Sequence, residues 1–231
     1  MNAVPAGVLH VVATPIGHLK DISLRALETL KSVDLVACED TRHTAILLKE
    51  YGIHAQTVSY HSHSSPFKAE RLSQTLKDGK NIALVSDAGL PGISDPGTAL
   101  VQAALAASIP VNVVPGASAS LMALVLSGFP TDRFIFEGFL PMKPGPRRKR
   151  LELLQGEERT AIVYESPHRV LKLLGEIETV LGNIPLSVSR ELTKHFEETR
   201  RAPAGELKAH FTKQAPRGEF VVVIPPKRCR E

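Results

Sequence analysis

One short stretch of the chain concentrates the side chains that acid/base chemistry uses. Glu39-Asp40-Thr41-Arg42-His43-Thr44 contains two carboxylates, a guanidinium and an imidazole, and it directly follows the apolar run 35–38. A positioned carboxylate or imidazole can move a proton in a transition state, so this stretch predicts a site of proton transfer. The same residues are also typical of a helix start, with Thr41 as the cap and acidic side chains favoured by the helix dipole. The two interpretations are compatible.

A second stretch has the composition of a ligand-binding loop. Residues 86–97 contain three glycines, two prolines and two aspartates, and they follow the unbroken apolar run 82–85. Such a run is typical of a strand buried on both faces of a parallel sheet, and open α/β sheets bind ligands beyond the carboxyl ends of their strands. Asp95 and Pro96 are expected to be the N-cap and the first-turn proline of the next helix. The alternative is an ordinary turn, for which the same residue types are common.

Other polar clusters leave several chemistries open. Residues 164–169 and 190–194 each follow an apolar run, where they are expected either to line a site or to form satisfied turns. Gly116-Ala117-Ser118-Ala119-Ser120 differs from the G-x-S-x-G nucleophile elbow at its last position, which makes a hydrolase the weaker hypothesis and helix capping by Ser118 the stronger one. His61 and His63 lack an obvious third ligand, so no metal site is predicted.

The usual nucleotide and metalloprotease motifs are missing from the sequence. There is no G-x-G-x-x-G, no G-x-x-x-x-G-K-[ST] and no H-E-x-x-H. Because those motifs supply the phosphate cradle or the zinc ligands of the corresponding enzymes, an ordinary dinucleotide, P-loop or zincin enzyme is disfavoured.

The elements that must position these residues alternate between strand and helix. Repeated β-α units predict a mostly parallel sheet with right-handed crossovers. The first half contains predicted strands at 8–13, 35–38, 57–60, 82–85 and 111–114, and predicted helices that begin near Asp21 or Ser23 and then cover 41–51, 67–77 and 96–108. We therefore predict an α/β fold whose first domain spans 1–115.

The second half predicts a further α/β or α+β domain over 116–231. Its predicted strands are 134–139, 161–164, 186–189 and 220–224, and its predicted helices are 118–126, 168–181 and 206–213. The proline-rich basic segment 141–150 is predicted to be an exposed, mobile loop, and the tail 225–231 is predicted to be frayed.

Composition favours a cytoplasmic protein of ordinary globular size. The 231 residues can bury a sizeable core, and the two cysteines, Cys38 and Cys229, lie outside any C-x-x-C pattern. No basic-then-apolar leader and no run long enough to span a bilayer is present, so neither export nor a membrane is expected. The formal charge of +4 is concentrated in Lys143, Arg147, Arg148, Lys149 and Arg150, which is compatible with a polyanionic partner or with a solvated helix start.

Taken in order, seven motifs resemble one family. They are Ala13-Thr14-Pro15-Ile16-Gly17, 37–44 with its E-D-T-R-H-T, Val85-Ser86-Asp87-Ala88-Gly89, Asp95-Pro96-Gly97, Val114-Pro115-Gly116, Tyr164-Glu165-Ser166 and Arg190-Glu191-Leu192-Thr193-Lys194. The chain is similar over 8–224 to the RsmI family of ribosomal small-subunit cytidine 2′-O-methyltransferases, within the tetrapyrrole-methylase superfamily. E-D-T-R-H-T combined with S-D-A-G separates this family from the tetrapyrrole-methylating relatives.

The resemblance implies a fold, a cofactor and a substrate. The fold would be two α/β domains of the tetrapyrrole-methylase (class III S-adenosylmethionine methyltransferase) type, with S-adenosylmethionine in the cleft between them. The protein would be a homodimer acting on 16S rRNA of the small ribosomal subunit, with no membrane or DNA partner. Residues implied to bind the cofactor are Pro15, Asp87, Ala88, Gly89, Leu90, Ile93, Ser118, Ala119, Tyr164 and Arg190.

Methyl transfer to a ribose hydroxyl requires a base, because the hydroxyl is a poor nucleophile until its proton leaves. The candidates are Glu39, Asp40, His43, Glu165 and Lys194, of which Glu39 and Asp40 are preferred. Arg42 and Lys194 are expected to steer phosphate or stabilise developing charge. RNA binding is expected to involve Lys143, Arg147, Arg148, Lys149 and Arg150.

The sequence departs from the family pattern in two places. His18 stands where the family usually has asparagine in Gly-Asn-Leu. The sequence also ends soon after the last predicted strand, where family members commonly carry a further small helical domain, and both a natural short form and a truncation are compatible with this. Two rivals remain open: a tetrapyrrole C-methyltransferase with the same fold and cofactor, and a ribosome-binding protein with a relic cofactor site. A basic segment and E-D-T-R-H-T argue against the first.

Overall fold

The chain forms two compact units, each with its own five-stranded sheet. A computed structural model describes residues 5–61 and 66–230. The chain divides into Met1–Ser118 and Ala119–Glu231, so residues 116–118, which the sequence analysis assigned to the second domain, belong to the first unit. Within the two described ranges, no helix has the length and apolarity needed to cross a membrane.

The first unit is a parallel α/β unit, as the alternating pattern predicted. Its sheet has the order β3-β2-β4-β1-β5, and every neighbouring pair is parallel. The strands are β1 (Leu9–Val12), β2 (Leu35–Cys38), β3 (Thr57–Ser59), β4 (Ile82–Val85) and β5 (Val111–Val114), and the helices are α1 (Leu24–Ser32), α2 (Thr41–Glu50), α3 (Pro66–Lys77) and α4 (Thr98–Ala106).

Strand β4 lies in the middle of this sheet and is buried on both faces. Ile82 and Leu84 pack into one hydrophobic cluster, whereas Ala83 and Val85 pack into the cluster on the opposite face. Because alternate side chains of a strand point to opposite faces, a strand covered on both sides needs an unbroken apolar run. The rigid strand fixes the starting point of the 86–97 loop.

Two predicted helix caps are wrong by one or two residues. The N-cap of α2 is Asp40, whose side chain accepts a hydrogen bond from the Arg42 N–H, and Thr41 is the first helical residue. Helix α4 begins at Thr98 after an N-cap glycine, Gly97, so Asp95 and Pro96 precede the helix instead of starting it. Gly97 has a φ of 142°, which a residue with a side chain rarely adopts.

The second unit is a mixed α/β unit. Its sheet order is β6-β7-β10-β8-β9, in which only the β6–β7 pair is parallel. The strands are β6 (Phe134–Phe139), β7 (Thr160–Glu165), β8 (Pro185–Arg190), β9 (Glu198–Pro203) and β10 (Phe220–Ile224), and the helices are α5 (Ala119–Ser127), α6 (Pro144–Leu154), α7 (Val170–Leu181) and α8 (Ala204–Lys213).

Strand β9 was not predicted from the sequence. Its residues, Glu-Thr-Arg-Arg-Ala-Pro, show no alternation of apolar and polar side chains. The strand forms because it pairs in register with β8 from Pro185–Pro203 to Arg190–Glu198. It is an edge strand, where charged side chains and a proline are tolerated and limit pairing with other chains.

Two segments predicted to be irregular are ordered. The basic segment 141–150 was predicted to be a mobile loop, but from Pro144 it is helical as part of α6, with proline in the first turn. Proline is compatible with that position because the first N–H groups of a helix have no partner within it. In the tail, Arg230 donates hydrogen bonds to the carbonyl oxygens of Pro225, Gln155 and Leu154, so the prediction of fraying is wrong for these described residues.

Candidate active site

The predicted proton-transfer stretch and the predicted ligand loop lie side by side. Strands β2 and β4 are parallel neighbours with Cys38 opposite Val85, so the residues that follow them leave the sheet at the same edge. The N–H of Asp40 donates a hydrogen bond to Asp87 Oδ1 at 3.2 Å. The structure therefore brings the E-D-T-R-H-T stretch and the loop carboxylate together.

A second connection fixes the same loop to the end of β1. The N–H of Thr14 donates to the Gly89 carbonyl at 2.9 Å, and the N–H of Gly89 donates to the Thr14 carbonyl at 3.2 Å. Thr14 Oγ1 also donates to the Ser86 carbonyl at 3.0 Å. Thr14 and Ser86 are buried, so water does not compete for these bonds. Neither Thr14 nor Ser86 was predicted as a site residue, although Thr14 lies in the motif 13–17 and Ser86 in the motif 85–89.

The loop has a backbone that requires glycine at Gly89. Its φ is 81°, and a Cβ built there would come within 3.6 Å of the Ala117 carbonyl oxygen and of Ile16 Cγ2. The expected cofactor residues Ala88 and Leu90 are half-buried, and Ile93 is 46% exposed. These four residues of the loop carry apolar side chains or none, and Ile93 is the one open to solvent.

The loop after β5 packs directly on the end of β1. The N–H of Ala13 donates to the Val114 carbonyl at 3.1 Å, and a Cβ built at Gly116 would lie 2.8 Å from the Ala13 Cβ. Pro15 is buried and Ser118 is half-buried. Three loops of the first unit therefore meet at the carboxyl edge of β1, β4 and β5.

The two preferred base candidates differ in their electrostatic environment. Burial raises the pKa of the Glu39 carboxyl, the charge of Asp87 raises it further, and the neighbouring His61 only partly offsets these effects. Hydrogen bonds from Arg42 lower the pKa of Asp40 to about 2. A carboxylate with a raised pKa is the better proton acceptor near neutral pH, so Glu39 is favoured over Asp40.

Arg42 and His43 are exposed at the start of α2. Arg42 Nη2 lies 2.7 Å from Asp40 Oδ2, and the arginine side chain is 90% exposed. Arg42 Nε also donates to Asp40 Oδ1 at 3.1 Å, which gives a two-pronged ion pair. His43, the next residue of the same helix, is exposed to solvent. Asp40 therefore serves as helix cap and arginine partner.

In the second unit, Tyr164 is held by contacts on several sides. Its hydroxyl accepts a hydrogen bond from the N–H of Ser120 at 3.2 Å, in the first turn of α5. Its ring packs edge-to-face on Phe136 and Phe139, with centroid distances of 5.0 and 5.8 Å. The expected cofactor residue Ala119 is the first residue of α5 and is half-buried.

Arg190 has protein partners of its own. Its Nη2 lies 2.7 Å from Glu198 Oε2, and its guanidinium carbon lies 5.8 Å from the centre of the Phe211 ring. These contacts fix its side chain at the end of β8.

Glu165 does not have the environment of a catalytic base. Its side chain has no exposed surface and lies 2.6 Å from Arg169 Nη2 and 3.5 Å from Arg147 Nη2. Its Oε1 also accepts a hydrogen bond from the Ser166 N–H at 2.9 Å. Both carboxylate oxygens of Glu165 are occupied by protein partners and its side chain is not exposed, so it is not available to a substrate hydroxyl and we reject this candidate.

Lys194 is likewise unsuited to accept a proton. Its Nζ lies 3.0 Å from Glu191 Oε1 and 2.9 Å from Glu219 Oε2. Burial lowers the pKa of Lys194, but hydrogen bonds to Glu219 and Glu191 outweigh it and leave the pKa raised. The amine stays protonated, and two carboxylates already neutralise its charge.

The structure divides the basic segment into separate roles. Arg147 is 1% exposed, so the prediction that it contacts RNA is wrong: its side chain faces the core. Arg150 forms a two-pronged pair with Glu137, and Arg148 pairs with Glu152 at 3.0 Å. Lys143 and Lys149 are exposed. The surface of α6 is basic, but less so than the sequence predicted.

His18, which replaces the usual family asparagine, has a local structural role. Its Nδ1 accepts a hydrogen bond from the Lys20 N–H at 3.2 Å, which caps the short 3-10 turn Leu19–Asp21. An asparagine side chain can cap a turn in the same way.

Of the metal-ligand pair, His61 is described and His63 lies outside the described residues. Across 5–61 and 66–230, no group of three or more potential ligands is positioned to hold a metal ion.

The chain has a parallel sheet, with the loops after β2 and β4 hydrogen-bonded to each other, and a second, mixed sheet. This combination corresponds to a known methylase fold. The model of the family Tetrapyrrole (Corrin/Porphyrin) Methylases matches residues 8–208, and the chain belongs to this family. A solved structure of uroporphyrin-III-C-methyltransferase from Thermus thermophilus has a TM-score of 0.67 at 19% identity, covering 96% of this chain and 94% of that one. The methyltransferase CobJ has a TM-score of 0.71 at 17% identity, covering 95% and 94%. These similarities establish the fold.

Sequence relatives define the group more narrowly. The chain is 51% identical to ribosomal RNA small subunit methyltransferase I of Synechocystis, over 94% of this chain and 78% of the relative. It is 48% identical to the protein of the same name in Escherichia coli O157:H7, over 97% and 80%, and 44% identical to the Thermotoga maritima protein, over 96% and 99%. The family resemblance inferred from the motifs is confirmed.

Proposed function

We propose that the protein transfers a methyl group from S-adenosylmethionine to the ribose 2′-hydroxyl of a cytidine in the decoding centre of 16S rRNA. The observation that carries the proposal is the hydrogen bond from the Asp40 N–H to Asp87 Oδ1, which holds the E-D-T-R-H-T stretch beside the ligand loop. The names of the relatives support the substrate.

The residues at the edge of the first sheet fit this cofactor. The absence of a side chain at Gly89 leaves a small cradle between Ala117 and Ile16, and Asp87 supplies a carboxylate acceptor for hydroxyl or amino groups. Ile93 offers an exposed apolar surface at the same loop. A solved structure with this fold, at 19% identity and a TM-score of 0.64, is titled as a complex with S-adenyl homocysteine.

We propose that Asp87, Ala88, Gly89, Leu90 and Ile93 of the loop bind the cofactor. The resemblance adds the remaining candidates, which are Pro15, Ser118, Ala119, Tyr164 and Arg190.

Glu39 is the proposed base. When bound, the cofactor supplies a methyl group on a positively charged sulfur, so that no metal is needed to activate it. The Glu39 carboxylate would accept the 2′-hydroxyl proton and so leave the ribose oxygen as the nucleophile toward that methyl group. Asp40 keeps the start of α2 in place, and Arg42, with its largely exposed guanidinium, contacts a phosphate near the target ribose.

The test is methyl transfer to a defined substrate. The protein is incubated with labelled S-adenosylmethionine and unmethylated small subunits, and the label is mapped. Transfer to a cytidine ribose supports the proposal. Cofactor binding without transfer supports a relic site, and label on an added tetrapyrrole instead supports the tetrapyrrole-methylating alternative.

We propose that the solvent side of α6 contacts rRNA phosphates through Lys143, Arg148 and Lys149. Replacing both lysines by glutamine is expected to weaken RNA binding and to reduce the slope of log K against log salt concentration by about 1 per lost phosphate contact. The control is Lys208→Gln, on α8. Equal slopes for the double variant and the wild type would exclude this surface.

We further propose that the protein is a cytoplasmic homodimer. Large apolar side chains are exposed on α5 and around β6, namely Leu121, Val125, Phe134, Phe139 and Met142, and such surfaces often mark protein contacts. Sedimentation equilibrium gives the mass directly. Val125→Glu is expected to shift a dimer toward the monomer.

A further inference from the structure

The least expected feature of the second unit is a fully buried arginine within the basic segment. Arg147 lies on α6, yet its side chain is 1% exposed and contacts two carboxylates. Its Nε lies 2.5 Å from Glu176 Oε2 on α7, and its Nη2 lies 3.5 Å from Glu165 Oε2 at the end of β7. Burying these charges is costly, so an arrangement of this kind needs a reason beyond stability.

The contacts around Arg147 are ionic and leave hydrogen-bonding capacity unused. Among the described residues, Arg147 Nε and Nη2, Glu165 Oε2 and Glu176 Oε2 make no well-directed hydrogen bond. A hydrophobic core at the same place would avoid that penalty. In some proteins such costly buried charges fix a local arrangement, so the residues that contact this cluster are the ones to consider.

The neighbour is Tyr164, which the proposed function assigns to the cofactor. Tyr164 and Glu165 are adjacent on β7 and point to opposite faces of the sheet. Arg147 and Arg169 hold the Glu165 carboxylate. These contacts fix the end of the strand on the sheet face that α6 and α7 cover. On the other face, the Tyr164 hydroxyl meets the Ser120 N–H.

Arg169 closes the network back onto the tyrosine. Its Nη2 lies 2.6 Å from Glu165 Oε1, and its guanidinium carbon lies 5.9 Å from the centre of the Phe139 ring. That ring packs edge-to-face on Tyr164. Tyr164 is thus held both through the backbone of β7 and through Arg169 and Phe139.

We infer that Arg147 is a positioning residue for cofactor binding, acting through Glu165 on Tyr164, and is not an RNA contact. This inference rests on the proposed function, because it assigns Tyr164 to the cofactor. It gives different roles to two consecutive arginines. Arg147 fixes the position of the Tyr164 side chain, whereas the Arg148 side chain is 69% exposed and faces solvent.

The experiment compares variants of the full chain by titration with S-adenosylhomocysteine in a calorimeter. Arg147→Met is expected to raise the Kd roughly 2- to 30-fold and to leave the salt slope of rRNA binding unchanged. Arg147→Lys keeps the charge but lacks the second prong, so its Kd is expected to lie between wild type and Arg147→Met. Arg148→Met is the matched contrast: its Kd for S-adenosylhomocysteine is expected to stay at the wild-type value, whereas its salt slope of rRNA binding is expected to fall.

Two further variants separate positioning from a general loss of stability. Leu207→Ala empties a buried position on α8, a helix that carries none of Arg147, Glu165, Arg169 and Glu176, so it is expected to lower Tm and leave the Kd unchanged. Glu176→Gln removes the second partner of Arg147 and serves if Arg147→Met fails to fold; its Kd is expected to rise. A wild-type Kd in a folded Arg147→Met variant, or in Glu176→Gln if the methionine variant does not fold, overturns the inference. Wild-type protein that does not bind S-adenosylhomocysteine refutes the proposed function itself.

Discussion

Glu39→Gln is expected to lower kcat about 10²- to 10⁴-fold, the range typical of losing a general base. Glutamine has nearly the same shape but cannot accept the hydroxyl proton. The Kd for S-adenosylhomocysteine is expected to stay near that of the wild type, because Asp87 and the loop are unchanged. The measurement is single-turnover methyl transfer to unmethylated small subunits, with calorimetry for the cofactor.

The matched control is the neighbouring carboxylate. Asp40→Asn keeps a side-chain oxygen that can cap α2, and the Asp40 carboxylate is already held in its charged form by Arg42. We therefore expect Asp40→Asn to retain most of the rate. A larger rate loss in Asp40→Asn than in Glu39→Gln would reverse the assignment, and full activity in both would remove this stretch from the chemistry.

The pH dependence gives an independent check on Glu39. Its pKa in the folded protein is raised from 4.5, so the rate is expected to fall as pH drops through the raised value and the carboxyl becomes protonated. Folding favours the protonated form: its stabilising contribution is complete below pH 4.5 and is lost as pH rises through the folded pKa. Glutamine is neutral at every pH, so Glu39→Gln is expected to unfold at neutral pH no more easily than the wild type. A variant that is inactive because it is misfolded would unfold at a lower temperature.

Gly116→Ala is expected to destabilise the protein by about 1–3 kcal/mol, the usual cost of overpacking. The new Cβ would lie 2.8 Å from the Ala13 Cβ and 3.5 Å from the Ala13 carbonyl oxygen, so the loop after β5 and the end of β1 must move apart. This separation reaches the site, because Thr14 follows Ala13 and holds Gly89. Tm is expected to fall by roughly 2–4 °C for each kcal/mol, with weaker cofactor binding.

Gly145→Ala is the control for Gly116→Ala. Gly145 lies in the first turn of α6 with no atom within 4 Å of a built Cβ, so alanine is expected to leave Tm unchanged or to raise it, since glycine costs more backbone entropy. Calorimetric unfolding of both variants distinguishes the steric effect from a general effect of glycine replacement. An unchanged Tm in Gly116→Ala would show that the two loops can separate without cost.

The sequence by itself determined most of the first unit. Strands β2, β4 and β5 have the predicted bounds. In β2 and β4 the signal is an unbroken apolar run. Strand β5 is an edge strand with Asn112 and Val113 exposed, and Pro115-Gly116 marks its end. The β-α pattern also predicted that each polar stretch follows the carboxyl end of a strand, whereas the pairing of β2 with β4 that makes them neighbours comes from the structure. The predicted features depend on neighbours in the chain, so they can be recognised without the fold.

The motifs determined the family for a related reason. E-D-T-R-H-T and S-D-A-G each follow a buried strand, and their combination and order carry more information than either motif alone. The fold of the first unit could therefore be predicted, whereas the antiparallel edge strand β9 could not, because only its register with β8 makes it a strand.

Only the tertiary structure decided which charged residues are buried, which are exposed and how their pKa values shift. Arg147 and Arg148 are consecutive in the basic segment, but one is buried between carboxylates from β7 and α7 and the other is exposed. Glu39 and Asp40 are consecutive too, and their pKa values shift in opposite directions. The physical reason is that burial, and ion pairs such as those of Arg147, depend on groups distant in the chain and near in space, which a local pattern of residue types does not contain. The Arg42–Asp40 pair is local, but the burial of Glu39 and its neighbour Asp87 are not.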